Sequence, residues 1–255
     1  MTRPRIAFPG SAGHRARIRG QGAAMIDGIV FDKDGTLFDF RQSWAGWVQG
    51  VLAELADDPG HAAALASALG FDPASGDFFA DSPVIAASTA EIAGVMLPLL
   101  PDLTQSQLET RLNRLAGAAE MRPAVPLRPL LLALRSRGLR LGVATNDVEA
   151  SARAHLLAQN VAELFDLVAG YDSGHGAKPG PGMLLAFAAR TGLDPARVLM
   201  VGDSLHDLMA GRAAGMRRVA VLTGVALAAD LAPMAEVVLP DTGALPGWID
   251  AQRAR

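Results

Sequence analysis

Short apolar runs that each close on polar residues constrain this chain's fold more than any other feature. There are six: "DGIVFD" ends at Asp32, "LRLGVATND" at Thr145, Asn146 and Asp147, "FDLVAG" runs into a glycine-rich loop, "RVLMVGDS" ends at Asp203 and Ser204, "RRVAVLTG" at Thr223 and Gly224, and "AEVVLP" near Asp241. Short runs rich in Val, Ile and Leu suit strands buried on both faces. Helical periodicity lies between them. Leucines at 127, 130, 131 and 134 share one helix face, and Gly138 stops that helix. Asn146 with Glu149 reads as a capping box, Pro181 suits the first turn of a helix to about Arg190, and Asp203 or Ser204 can cap a helix through Arg212. Strand and helix alternate from Pro126 onward, which predicts an α/β fold, a three-layer, Rossmann-like core around a parallel sheet.

Between Asp39 and about Pro126 the pattern changes. No strand candidate is evident, and alanine and leucine dominate. Helix starts are readable at Ser82-Pro83, at Ser88 with Glu91, and at Thr104 with Gln107. The expected organisation is a core of residues 25–40 and 124–255 with an inserted all-helical cap domain of residues 41–123. The cap enters directly after the first strand, so it should sit above that strand's end. Residues 1–24 carry arginines at 3, 5, 15, 17 and 19 and no acid. They lack the continuous apolar segment of a secretory signal and read as a disordered extension.

A net charge of −3 gives no reason to expect nucleic acid as a partner. The chain has no cysteine, which excludes disulfides, thiolate chemistry and cysteine-ligated zinc. No apolar run approaches the roughly 18 residues of a membrane span. A cytoplasmic protein acting on a small molecule is the expectation.

In an open parallel sheet, ligands bind beyond the carboxyl ends of the strands. That edge would gather Asp32, Asp34, Thr145, Asn146 and Asp203. Asp32 and Asp34 are two residues apart, and such close like charges need something cationic nearby. Asp32 and Asp203 offer hard oxygen ligands suited to Mg²⁺, and the backbone carbonyl of Asp34 a third. Lys178, in "YDSGHGAKPGP", supplies positive charge, and Thr145 with neighbouring N–H groups can hold phosphate oxygens. One carboxylate would serve as nucleophile and its neighbour as proton carrier. Taken singly, each has a plainer reading: a solvated turn for the two acids, a surface position for Lys178 and Asp207, a helix cap for Asp203.

Together these residues resemble the haloacid dehalogenase superfamily, specifically its phosphoglycolate phosphatase-like branch with a helical cap. "DKDGT" at 32–36 is similar to the first motif, "ATN" with Thr145 to the second, "KPGP" with Lys178 to the third, and "VGDSLHD" with Asp203 and Asp207 to the fourth. The resemblance implies that Asp32 forms an aspartyl-phosphate and that Asp34 protonates the leaving alcohol, then activates water. It implies that Thr145 and Lys178 hold the phosphoryl group, with Asn146 beside them as a further phosphate- or substrate-binding residue. Asp32, the Asp34 carbonyl and Asp203 would bind Mg²⁺, with Asp207 and Ser204 supporting them from behind. The implied activity is a Mg²⁺-dependent phosphatase of a small phosphorylated metabolite, 2-phosphoglycolate first. Sugar phosphates, nucleotides, phosphomutase chemistry and a non-enzymatic, phosphate-ligand-binding regulatory protein are the alternatives. Arg41 is the expected partner of a substrate carboxylate. Arg111, Arg114 and Arg122 should be exposed, His175 and His206 solvated, and Trp44 and Trp47 packed within the cap. Lys33, in an extended segment, should point away from the two acids.

Overall fold

The computed structural model describes residues 25–79, 81–85 and 87–254. The expected N-terminal extension lies outside the described residues. Gly28–Phe31 forms strand β1, all of it buried. The inserted segment follows, with helices α1 (Phe40–Leu55) and α2 (Pro59–Ala68), the two-residue strands β2 (Phe71–Asp72) and β3 (Asp77–Phe78), and helices α3 (Thr89–Met96) and α4 (Gln105–Gly117). The chain then alternates: α5 (Leu127–Ser136), β4 (Arg140–Ala144), α6 (Glu149–Ala158), β5 (Leu167–Ala169), α7 (Gly182–Thr191), β6 (Val198–Gly202), α8 (Leu205–Ala213), β7 (Arg217–Val221), α9 (Ala228–Leu231), β8 (Val237–Leu239) and α10 (Leu245–Arg253).

The six expected strands form one parallel sheet in the order β5-β4-β1-β6-β7-β8. β1 sits between β4 and β6, with Phe31 level with Val143 on one side and Val201 on the other. Strand order therefore reverses beside β1, and the crevice at such a reversal is where ligands bind in open α/β sheets. Both faces are covered. Phe31, Leu141 and Val201 join a core that runs on through Phe38, Trp44, Leu108 and Leu112 of the inserted segment. Val30, Met200, Met183 and Phe187 pack on the other face. Each such fully buried side chain contributes about 1.5–3 kcal/mol.

The insertion leaves and rejoins the core through two adjacent strands of chain. Asp39 N–H donates to Arg122 O at 2.8 Å, and Ala124 N–H to Leu37 O at 3.0 Å. Asp39 also caps α1 by accepting from Gln42 N–H. The capping boxes at Ser88/Glu91 and Thr104/Gln107 form as expected.

Several local readings are corrected. Ser82-Pro83 starts only the 3₁₀ turn Pro83–Ile85. The inserted segment also holds a minimal antiparallel hairpin, Phe71 opposite Phe78, turned through Gly76 at positive φ. Two-residue strands are too short to leave a period-2 pattern. Asn146 and Glu149 form no capping box. Val148 occupies the N-cap of α6 without a side-chain bond, and Pro181 precedes α7 as its N-cap.

Candidate active site

The first motif leaves β1 as a bend rather than as extended chain. Leu37 and Phe38 N–H groups both donate to Lys33 O, folding residues 33–38 back on themselves. The turn requires Gly35 at φ 81°, and a Cβ there would lie 2.3 Å from Asp203 Oδ2. Gly224, after β7, is constrained in the same way: its Cβ would lie 1.7 Å from that oxygen. Asp203 at the end of β6 thus occupies a socket that two glycines leave open. Thr36 Oγ1 donates to Asp203 Oδ1 at 3.1 Å, a role the sequence reading missed.

Asp32, Asp203 and Asp207 are all buried, and one carboxylate oxygen of each lies within 4.8 Å of the others. Lys178, itself buried, binds Asp32 Oδ1 and also donates to Asp207 Oδ1 at 2.6 Å. Asp207 spends its other oxygen on Ser204, accepting from the N–H at 3.0 Å and the hydroxyl at 2.6 Å, which caps α8. Burial pushes the Asp32 carboxyl up and the Lys178 ammonium opposes this. Burial pushes Asp203 up as well, and the Asp32 and Asp207 charges add to that. Burial works to lower Lys178, but Asp207 and Asp32 outweigh it and hold the ammonium charged. The donor set is hard oxygen in excess of positive charge, which fits a divalent cation such as Mg²⁺.

A second buried cation stands behind the first cluster. Lys33 points not away from the acids but into the protein, fully buried. It donates to Asp34 Oδ1 at 2.7 Å, pairs with Asp147 Oδ2 at 3.2 Å, and lies 3.2 Å from His155 Nδ1. Burial works against its charge, but Asp34 and then Asp147 raise it more. Burial pushes the Asp147 carboxyl up against the pull of Lys33. His155 Nε2 lies 2.8 Å from Ala116 O. Nε2 must therefore carry the proton and Nδ1 accept from the Lys33 ammonium. Burial, then Lys33, lowers His155 from 6.5 to about 4.

This predicts a pH effect on stability. Between about pH 6.5 and pH 4 the unfolded chain binds a proton at this histidine that the folded one refuses. The contribution is complete above pH 6.5 and declines as pH falls, by on the order of 3 kcal/mol in total. In denaturant titrations, His155→Gln should lose less stability than wild type on acidification through that window. Parallel profiles would show that a buried neutral histidine is not the cause.

The remaining expected residues divide. Thr145, buried at the end of β4, lines the cavity. Asn146 lines it too, but both ends of its amide bind the Lys178 backbone: Oδ1 accepts from the N–H at 2.8 Å and Nδ2 donates to the carbonyl at 3.0 Å. Asn146 therefore fixes the Lys178 loop, and one N–H of its amide is left over from that contact. Arg41 does not reach the cavity. Phe40, Trp44 and Trp47 take the buried face of α1, and exposed Arg41 pairs with Asp77. His175 is exposed, whereas His206 is half-buried in the cavity wall. Trp44 and Trp47 pack edge to face at 5.2 Å, as expected, and also line the cavity. Arg111, Arg114 and Arg122 are exposed.

The haloacid dehalogenase-like hydrolase family profile matches residues 26–215. A phosphoglycolate phosphatase from Rhodospirillum rubrum is 32% identical over 238 residues, covering 88% of this chain and 91% of that one. "Probable phosphatase IndB" from Dickeya dadantii is 40% identical over 112 residues, covering 44% of this chain and 49% of its own length. Among solved structures, a HAD family hydrolase from Deinococcus radiodurans with bound phosphate and sodium superposes with a TM-score of 0.64 at 23% identity, covering 90% and 97% of the two chains. No helix among the described residues is long and apolar enough to cross a membrane.

Proposed function

Since the chain belongs to the haloacid dehalogenase-like hydrolase family, we propose that it is a Mg²⁺-dependent phosphatase of small phosphomonoesters acting through an aspartyl-phosphate on Asp32. One observation carries this reading: Asp32, Asp203, Asp207 and Lys178, from three separate segments, meet buried at a single cavity that Asp34 also lines.

Each side chain then has a task. Asp32 attacks phosphorus in line with the leaving oxygen. Lys178 orients that carboxylate and offsets phosphoryl charge, and the Thr145 hydroxyl holds a phosphoryl oxygen. Asp34 gives a proton to the departing alkoxide, then takes one from the water that releases phosphate. Lys33 holds the Asp34 carboxylate in place for both transfers. Asp32, the Asp34 carbonyl and Asp203 would hold Mg²⁺, which when bound offsets negative charge on the carboxylates and phosphate. The inserted helices would act as the cap that excludes water from the cavity.

The relatives' names point to 2-phosphoglycolate as the first substrate to assay. Phosphatase activity should appear with Mg²⁺ and vanish with EDTA. The cation should also be visible without turnover. At a Mg²⁺ concentration of about 100 times its Kd, unfolding free energy should rise by about 2.7 kcal/mol. Asp203→Asn should lose most of that increment. An equal increment in the variant would place the cation elsewhere.

A further inference from the structure

The cavity has two unlike walls. Five carboxylates line it (Asp32, Asp34, Asp147, Asp203 and Asp207), with Lys178 among them as the one lysine in the lining. The wall supplied by the inserted helices is apolar. Trp44, Trp47, Val84, Ile92 and Leu112 form most of it, and Thr89 brings its one hydroxyl, which donates to Asn113 at 2.8 Å. No arginine lines the cavity among the described residues: Arg41 pairs with Asp77, Arg114 with Glu54 and Arg122 with Glu120. His206 lines the cavity from α8, but its field is shared with Glu91, whose carboxylate it helps to lower after the Ser88 hydrogen bonds.

A carboxylate on the substrate's organic group would therefore enter an acidic cavity and lie against an apolar wall with no counter-charge. An unpaired charge in such a place is strongly disfavoured. The indole rings of Trp44 and Trp47 add aromatic surface to that wall, and their N–H groups are buried away from it.

Resting on the phosphatase reading above, we propose that this site takes phosphomonoesters of neutral alcohols with an apolar ring face, in preference to esters that carry a carboxylate. The wall selects by what it lacks: charge of either sign from the inserted helices. Phosphoglycolate, the substrate that the relatives' names suggest, falls on the disfavoured side.

The test compares leaving alcohols of similar basicity, so that chemistry is matched and only the wall is read. With Mg²⁺ present, kcat/KM is measured for benzyl phosphate, 4-acetylbenzyl phosphate, ethyl phosphate and 2-phosphoglycolate. Both benzyl esters should exceed phosphoglycolate by at least about tenfold, since specificity is a ratio of these values. Ala87→Arg, which adds a cation at the half-buried edge of the wall, should move the preference toward phosphoglycolate. Turnover of all four esters with phosphoglycolate equal or ahead overturns this inference alone. Turnover of none overturns the phosphatase reading and takes this inference with it.

Discussion

Asp32→Asn should abolish turnover, lowering kcat by on the order of 10⁴ or more, as removing a covalent nucleophile does elsewhere. The substitution keeps the shape of the side chain and deletes only its charge and nucleophilicity. The fold should survive it. Lys178 keeps Asp207 as a partner at 2.6 Å, and one of the three mutually close carboxylates is gone. Without added cation the variant should therefore be at least as stable as wild type, because the deleted charge faced Asp207 and Asp34 within a buried site. Steady-state kinetics and a denaturant melt on the same preparation check both halves. Turnover near the wild-type rate would remove Asp32 from the chemistry. Loss of turnover together with loss of fold would leave the assignment to Asp32→Glu, which keeps the charge, displaces the nucleophile and should be equally inactive.

Lys33→Met should be the most damaging single change to stability at the site. It leaves Asp147, nearly enclosed and already pushed up by burial, without its ion-pair partner, and it frees the Asp34 carboxylate from the ammonium that holds it. Breaking a buried pair from one side costs about 3–5 kcal/mol. Adding Asp147→Asn should recover part of that loss, with a coupling of about 1–3 kcal/mol in a double-mutant cycle. Catalysis offers an independent readout. If Lys33 orients Asp34 as the proton donor, kcat/KM should fall far more for an alkyl phosphate than for a nitrophenyl phosphate, whose leaving group needs no proton. Equal losses on both, with additive stabilities, would reduce Lys33 to ordinary packing.

The sheet was legible because its strands are buried on both faces and must be written as continuous apolar runs. Asp32, Thr145 and Asp203 were legible because each ends such a run, and parallel strands bring their ends together. The helix caps at Ser88 and Thr104 were legible because a capping box is a local rule. What failed depended on tertiary partners. Lys33 was read with strand alternation, but alternation stops at Phe31, where the backbone bends and sends the ammonium inward to Asp147 and His155. A lysine between two acids, with a third acid directly after the second motif, was the available signal. Arg41 was placed near the substrate by its distance along the chain, yet the helix face decides, and Phe40, Trp44 and Trp47 claim the inward one. The spacing of Asn146 and Glu149 suggests a helix cap, but the Lys178 loop that the Asn146 amide binds instead is 32 residues away.

The central claim is that the phosphoryl group rests on an Asp32 oxygen before water receives it. The stereochemical course at phosphorus tests this directly and does not require the intermediate to accumulate. An isotopically chiral phosphate ester, turned over with an acceptor alcohol so that the product remains chiral, should give net retention, the result of two successive inversions. Net inversion would mean a single direct displacement and would contradict the account.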